Sequence, residues 1–136
     1  MVNSTGLKRL DLQRCTQLNT LPESLGALQQ LELLRLDGTA LETLPQSLGD
    51  LTNLRLLSLE GTQLRQLPES IKNLHNLRRL NLLKCKVTEL PPELAQNQQL
   101  KINSKRVTTP LPNIVNEPLH TFFEITLTEV KEVPLY

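Results

Sequence analysis

Leu34-Arg35-Leu36-Asp37-Gly38-Thr39-Ala40-Leu41-Glu42-Thr43-Leu44-Pro45, followed by Gln46-Ser47-Leu48-Gly49-Asp50-Leu51-Thr52-Asn53-Leu54, is one copy of a pattern that recurs along the chain. The Leu-Pro pairs Leu21-Pro22, Leu44-Pro45, Leu67-Pro68 and Leu90-Pro91 stand 23 residues apart. Other apolar positions keep the same step: Leu34, Leu57 and Leu80; Leu36, Leu59 and Leu82; Leu41, Leu64 and Val87; Leu48, Ile71 and Leu94. Four copies in register mark a stacked-repeat architecture, because one unit cannot bury its apolar face alone. The first copy carries one extra residue before Leu18, and a degenerate fifth starts at Leu100-Lys101-Ile102 and reaches Leu111-Pro112.

Within a unit, the Leu-x-Leu pair reads as a short strand with both leucines inward, since side chains alternate along a strand. Equivalent strands then pair in parallel. Proline after the next leucine suits the first turn of a short helix, where its missing N–H has no partner to lose. Leu48 and Leu51 would pack that helix against the strand. Composition agrees with an aliphatic, repetitive core: the chain has 136 residues, no Trp, one Tyr and two Phe. Its net charge of +1 gives no footprint for nucleic acid or an anionic membrane surface.

These residues resemble the leucine-rich-repeat family in its 23-residue L-x-x-L-P-x-S-L-G-x-L variety, over about residues 7 to 112. The family's turn Asn is replaced by Thr39, Thr62 and Cys85, with Cys15 or Thr16 in the first unit. That replacement is similar to repeats of plant intracellular immune receptors and of effectors that bacteria secrete into host cells. The resemblance implies an α/β solenoid, with a curved parallel β-sheet on the concave face and short helices or 3-10 turns on the convex face. It implies a protein-binding role. A Thr hydroxyl can bond local backbone as the family's Asn does, so these turn residues read as structural.

Solvent-facing residues between the inward leucines form three rows. The first reads Arg9, Leu33, Leu56, Arg79 and Gln99; the second Asp11, Arg35, Ser58, Asn81 and Lys101; the third Gln13, Asp37, Glu60, Leu83 and Asn103. Leu33 and Leu56 are expected to be adjacent, exposed and apolar, with charges around them, which is the anatomy of a protein-binding patch. The partner-binding set is therefore Leu33, Arg35, Asp37, Leu56, Ser58, Glu60, Arg79, Asn81 and Leu83.

No catalytic, cofactor or metal site is expected. His75 and His120 lack motif neighbours, and no phosphate loop, HExxH or GxSxG occurs. Cys15 and Cys85 occupy equivalent turns three units apart, about 14 Å at the ordinary strand spacing, too far for a disulfide. The solenoid is assigned to residues 1–112. Residues 113–136, with alternating Phe123, Ile125 and Leu127, read as a C-terminal cap or a tail. The N-terminus has no signal-peptide pattern, and no apolar run is long enough to cross a membrane. The chain therefore reads as cytoplasmic, or in the host cytoplasm if a secreted effector, and as a monomer or a weak dimer through an uncapped end. The alternatives are the repeat region of a receptor or larger scaffold, or the recognition part of a ubiquitin-ligase effector.

Overall fold

The computed structural model describes residues 6–115. The N-terminal five residues and the alternating segment around Phe123, with His120, lie outside the described residues. Six strands form one sheet in sequential order: β1 (Arg9–Asp11), β2 (Leu33–Arg35), β3 (Leu56–Ser58), β4 (Arg79–Asn81), β5 (Lys101–Asn103) and β6 (Ile114–Val115). All neighbours are parallel. The central registers keep the ruler, pairing Leu34 with Leu57 and Leu57 with Leu80. The first step is 24 residues, Leu10 to Leu34, which accommodates the extra residue of the first unit.

The end of the ruler needs one correction. Leu80 pairs with Ile102, so Lys101 stands in the first outward row and Asn103 in the second. Leu100 instead continues the series Leu31, Leu54 and Leu77, each nearly or fully buried. The misreading was by two residues, which keeps every side chain on its expected face. The five copies of the pattern supply β1 to β5, and among the described residues a sixth strand, β6, follows them. Ile114 pairs with Ile102 after only 12 residues, through a connection without a 3-10 helix. Buried Asn113 anchors it, its Nδ2 donating to the carbonyls of Asn97 and Leu100 at 2.9 and 3.0 Å.

Behind the sheet lie four five-residue 3-10 helices: Glu23–Ala27, Gln46–Asp50, Glu69–Asn73 and Pro92–Gln96. Pro22, Pro45, Pro68 and Pro91 sit one residue earlier than expected, at the N-cap, the first three with extended backbone. Their fixed φ suits that geometry, and their carbonyls accept the first bond, as from Leu25 N to Pro22 O at 3.0 Å. Leu25, Leu48, Ile71 and Leu94 bring this layer into one core with Leu34, Leu36, Leu57, Leu59, Leu80 and Leu82. Asn53 and Asn76 tie successive units by donating to Gln29 O and Thr52 O at 2.8 and 2.7 Å.

The turns after β2, β3 and β4 use the predicted local bond. Thr39 Oγ1 donates to Leu36 O at 2.8 Å, Thr62 Oγ1 to Leu59 O at 2.9 Å, and Cys85 Sγ to Leu82 O at 3.0 Å. Burial pushes the Cys85 thiol pKa above its ordinary value, whereas Cys15 is exposed. The residue before each has a left-handed backbone: Arg14 at φ 67°, Gly38 and Gly61 at 72°, Lys84 at 60°. Glycine takes this conformation without strain, and a side chain raises its energy by about 1–2 kcal/mol. Lys84→Gly should therefore raise the unfolding free energy by about 1 kcal/mol in urea melts, even after loss of its exposed 4.0 Å ion pair with Glu60. A destabilised variant would show that the Lys84 side chain matters more than its backbone.

Candidate outward face of the sheet

Alternation places Leu34, Leu36, Leu57 and Leu59 in the core and sends Leu33, Arg35, Asp37, Leu56, Ser58 and Glu60 to the opposite face. The structure brings the sequence-selected residues together. Leu33 pairs with Leu56 and Leu56 with Arg79; Arg35 pairs with Ser58 and Ser58 with Asn81.

The polar members form one network across β2, β3 and β4. Arg35 Nη2 donates to Asp37 Oδ2 at 2.9 Å. The other oxygen of Asp37 accepts from Ser58 Oγ at 2.6 Å and from the Glu60 amide at 3.0 Å. Asn81 Nδ2 lies 3.1 Å from both Ser58 Oγ and Glu60 Oε1. Its Oδ1 accepts from the Leu83 amide at 3.2 Å. Charge-assisted bonds of this kind are stronger than neutral ones and hold a surface in one arrangement. Asn81 is fully buried, so Asn81→Ala should leave Ser58 and the Leu83 amide short of a partner. The expected loss is about 1–3 kcal/mol in denaturant melts; a change below about 0.5 kcal/mol would mean that the network rearranges freely.

One expectation fails. Leu33 and Leu56 are each only 1% exposed and do not form a solvent-exposed patch. They are also absent from the core cluster, so they are enclosed on the face away from it. The register gives part of the reason: Arg9 and Arg79 flank the pair in its row, and arginine stems cover neighbouring apolar surface. Arg79 itself is 4% exposed. Accessible surface lies instead toward the turns, in an open cleft lined by Gln13, Arg14, Arg35, Asp37, Gly38, Glu60, Gly61 and Lys84. Arg35, Asp37 and Glu60 are part-exposed there, and Leu83 is part-exposed outside the cleft lining. The outward rows pointed to Arg35, Asp37 and Glu60 but not to Arg14 or Lys84, which lie beyond them in the left-handed turns.

The face presents hydrogen-bonding groups and charges of both signs. Among the described residues, no group of three or more His, Cys, Asp or Glu is placed to hold a metal ion. No helix among them is long and apolar enough to cross a membrane.

The Leucine Rich Repeat family model matches residues 53–74, one repeat at the centre of the sheet. A solved leucine-rich-repeat protein of Leptospira interrogans is similar to the chain at 32% identity and a TM-score of 0.62, over 71% of this chain. The fold is a leucine-rich-repeat solenoid. This chain spans only 25% of the length of the Leptospira protein. No curated protein sequence matches it. Leucine-rich-repeat domains serve generally as protein-binding modules, and the polar network occupies the rows of this solenoid whose residues the core does not constrain.

Proposed function

We propose that this leucine-rich-repeat solenoid is a non-catalytic module that binds a partner protein on the outward face of its sheet, through the cleft between Arg35, Asp37, Glu60, Arg14 and Lys84. The observation that carries this reading is the network from Arg35 through Asp37, Ser58 and Asn81 to Glu60. It fixes charges of both signs at the border of the cleft before any partner arrives, and such preorganisation favours specific association. The finer role, a bacterial effector that occupies a host protein in the host cytoplasm, rests on the Thr39, Thr62 and Cys85 turns. A second reading is the repeat region of a larger scaffold, favoured by the short span of the Leptospira match.

The test compares three immobilised proteins incubated with host-cell lysate: wild type, Arg14→Glu with Lys84→Glu, and Lys72→Glu with His75→Glu. The second reverses charge at the cleft. The third changes exposed residues on the 3-10 side, with no change to the cleft. The expected result is a protein retained by wild type and the 3-10 variant but lost from the cleft variant. Equal retention by all three contradicts the assignment of the surface.

A further inference from the structure

We propose that the cleft takes an extended, acidic segment of its partner, laid across the strands, with two carboxylates four residues apart that pair with Arg14 and Lys84. The proposal rests on the reading of this cleft as a recognition surface and names the chemistry of what it recognises.

Three observations carry it. The first is a single position of the repeat. The left-handed residue of the turn is Arg14, Gly38, Gly61 and Lys84 in four successive units, and all four line the cleft. These turns stack in register. The Arg14 amide donates to Asp37 O at 2.7 Å, the Gly38 amide to Glu60 O at 2.8 Å and the Gly61 amide to Leu83 O at 3.1 Å. A cation therefore stands at each end of the row, and the two positions between them carry no side chain.

The second observation is which charges are already committed. Asp37 uses one oxygen on Arg35 and the other on Ser58 and the Glu60 amide. Glu60 Oε1 accepts from Asn81. The two carboxylate side chains are 15% and 23% exposed, whereas the Lys84 side chain is 79% exposed and Arg14 is exposed as well. Lys84 stands 4.0 Å from Glu60, a long and solvated pair that costs little to loosen. The acids of the cleft thus serve its own network, and what reaches out to a partner is positive charge at two ends. Complementary charge on the partner is carboxylate.

The third observation is the spacing. Arg14 and Lys84 are three units apart, roughly 14 Å at about 4.8 Å per strand. Four residues of extended chain span about 13–14 Å. Residues four apart in such a chain also project to the same side, so both carboxylates face the cleft together. A spacing of three or five turns one of them away. In an α-helix four residues rise only about 6 Å, which leaves one cation unanswered.

The experiment titrates blocked synthetic peptides into the isotope-labelled 136-residue chain at low ionic strength, because exposed ion pairs are screened by salt. The first peptide, Ser-Glu-Thr-Ser-Thr-Glu-Ser, carries its acids four apart. The second, Ser-Glu-Thr-Ser-Glu-Thr-Ser, has the same composition with the acids three apart. The third replaces both Glu of the first by Gln. The expected result is amide shifts at Arg14, Gly38, Gly61 and Lys84. The first peptide should bind about two- to five-fold more tightly than the second and about ten-fold more tightly than the third. Arg14→Gln with Lys84→Gln should abolish the preference between the first two, with the rest of the amide spectrum unchanged. Arg14→Glu with Lys84→Glu should transfer that preference to the lysine counterpart, Ser-Lys-Thr-Ser-Thr-Lys-Ser. Equal affinity for the first two peptides overturns the proposal, as does a preference that survives loss of both cations, or no binding of any peptide to wild type. Shifts at the cleft without a spacing preference overturn the extended acidic segment alone and leave the cleft as a recognition surface. Capture from lysate tests that surface with whole proteins, and its failure leaves the peptide result untouched.

Discussion

Leu59→Ala is expected to lower the unfolding free energy by about 2–5 kcal/mol, as truncation of a fully buried leucine does. Leu59 is 0% exposed in the central unit, between layers contributed by its neighbours. Its amide donates to Asn81 O at 2.9 Å, and its carbonyl receives the Thr62 hydroxyl at 2.9 Å. The cavity left by alanine therefore opens where two units meet, and a solenoid owes much of its stability to such nearest-neighbour contacts. Urea melts at a common m-value provide the measurement. A change below about 0.5 kcal/mol would place Leu59 outside the core and break the stacking account.

The second large effect concerns a glycine that the repeat pattern treats as ordinary. Gly49→Ala would normally gain a little, because alanine loses less conformational freedom on folding. Here a new Cβ would stand 2.5 Å from Ser70 Cβ and 2.7 Å from Ser70 O, the latter a backbone atom of the next unit. Gly26 meets Ser47 in the same way, at 2.8 Å from its Cβ. Successive 3-10 helices thus pack with no room for a methyl group. The clash outweighs the entropic gain, and Gly49→Ala should destabilise by about 1–3 kcal/mol. Ser70→Gly in the same chain should recover part of that loss, because it removes the Cβ but not the carbonyl. A neutral or stabilising Gly49→Ala would show that the units slide apart freely.

The repeat was legible in the sequence because its causes are local and periodic. Leucines at a fixed step specify strand, face and parallel register together, and the Thr39, Thr62 and Cys85 hydroxyl and thiol groups bond a carbonyl three residues back in their own turn. Legibility ended where the period did. Leu100 looked like the first strand leucine of the fifth unit but continues the Leu31 series, and Ile114–Val115 joined the sheet after a half-length step that no ruler announces.

Alternation placed the nine candidate partner-binding residues on a shared face, and Arg35, Asp37, Ser58, Asn81 and Glu60 proved to be one network. Alternation says which way a side chain points, however, and not whether anything lies above it. Leu33 and Leu56 therefore looked like an open apolar patch and are enclosed. Contacts between units, such as Gly49 against Ser70 and Asn76 to Thr52 O, were equally hidden, because they depend on the spacing between repeats.

The central claim is that the outward face, and specifically its cleft, recognises a protein. The most direct measurement is titration of the captured partner into the isotope-labelled 136-residue chain, followed by amide resonances. The account predicts shifts at Arg35, Asp37, Glu60 and Leu83 and at the turn residues Arg14 and Lys84, with 46–50 and 69–73 unmoved. Shifts confined to those two 3-10 segments, with the cleft silent, would contradict it.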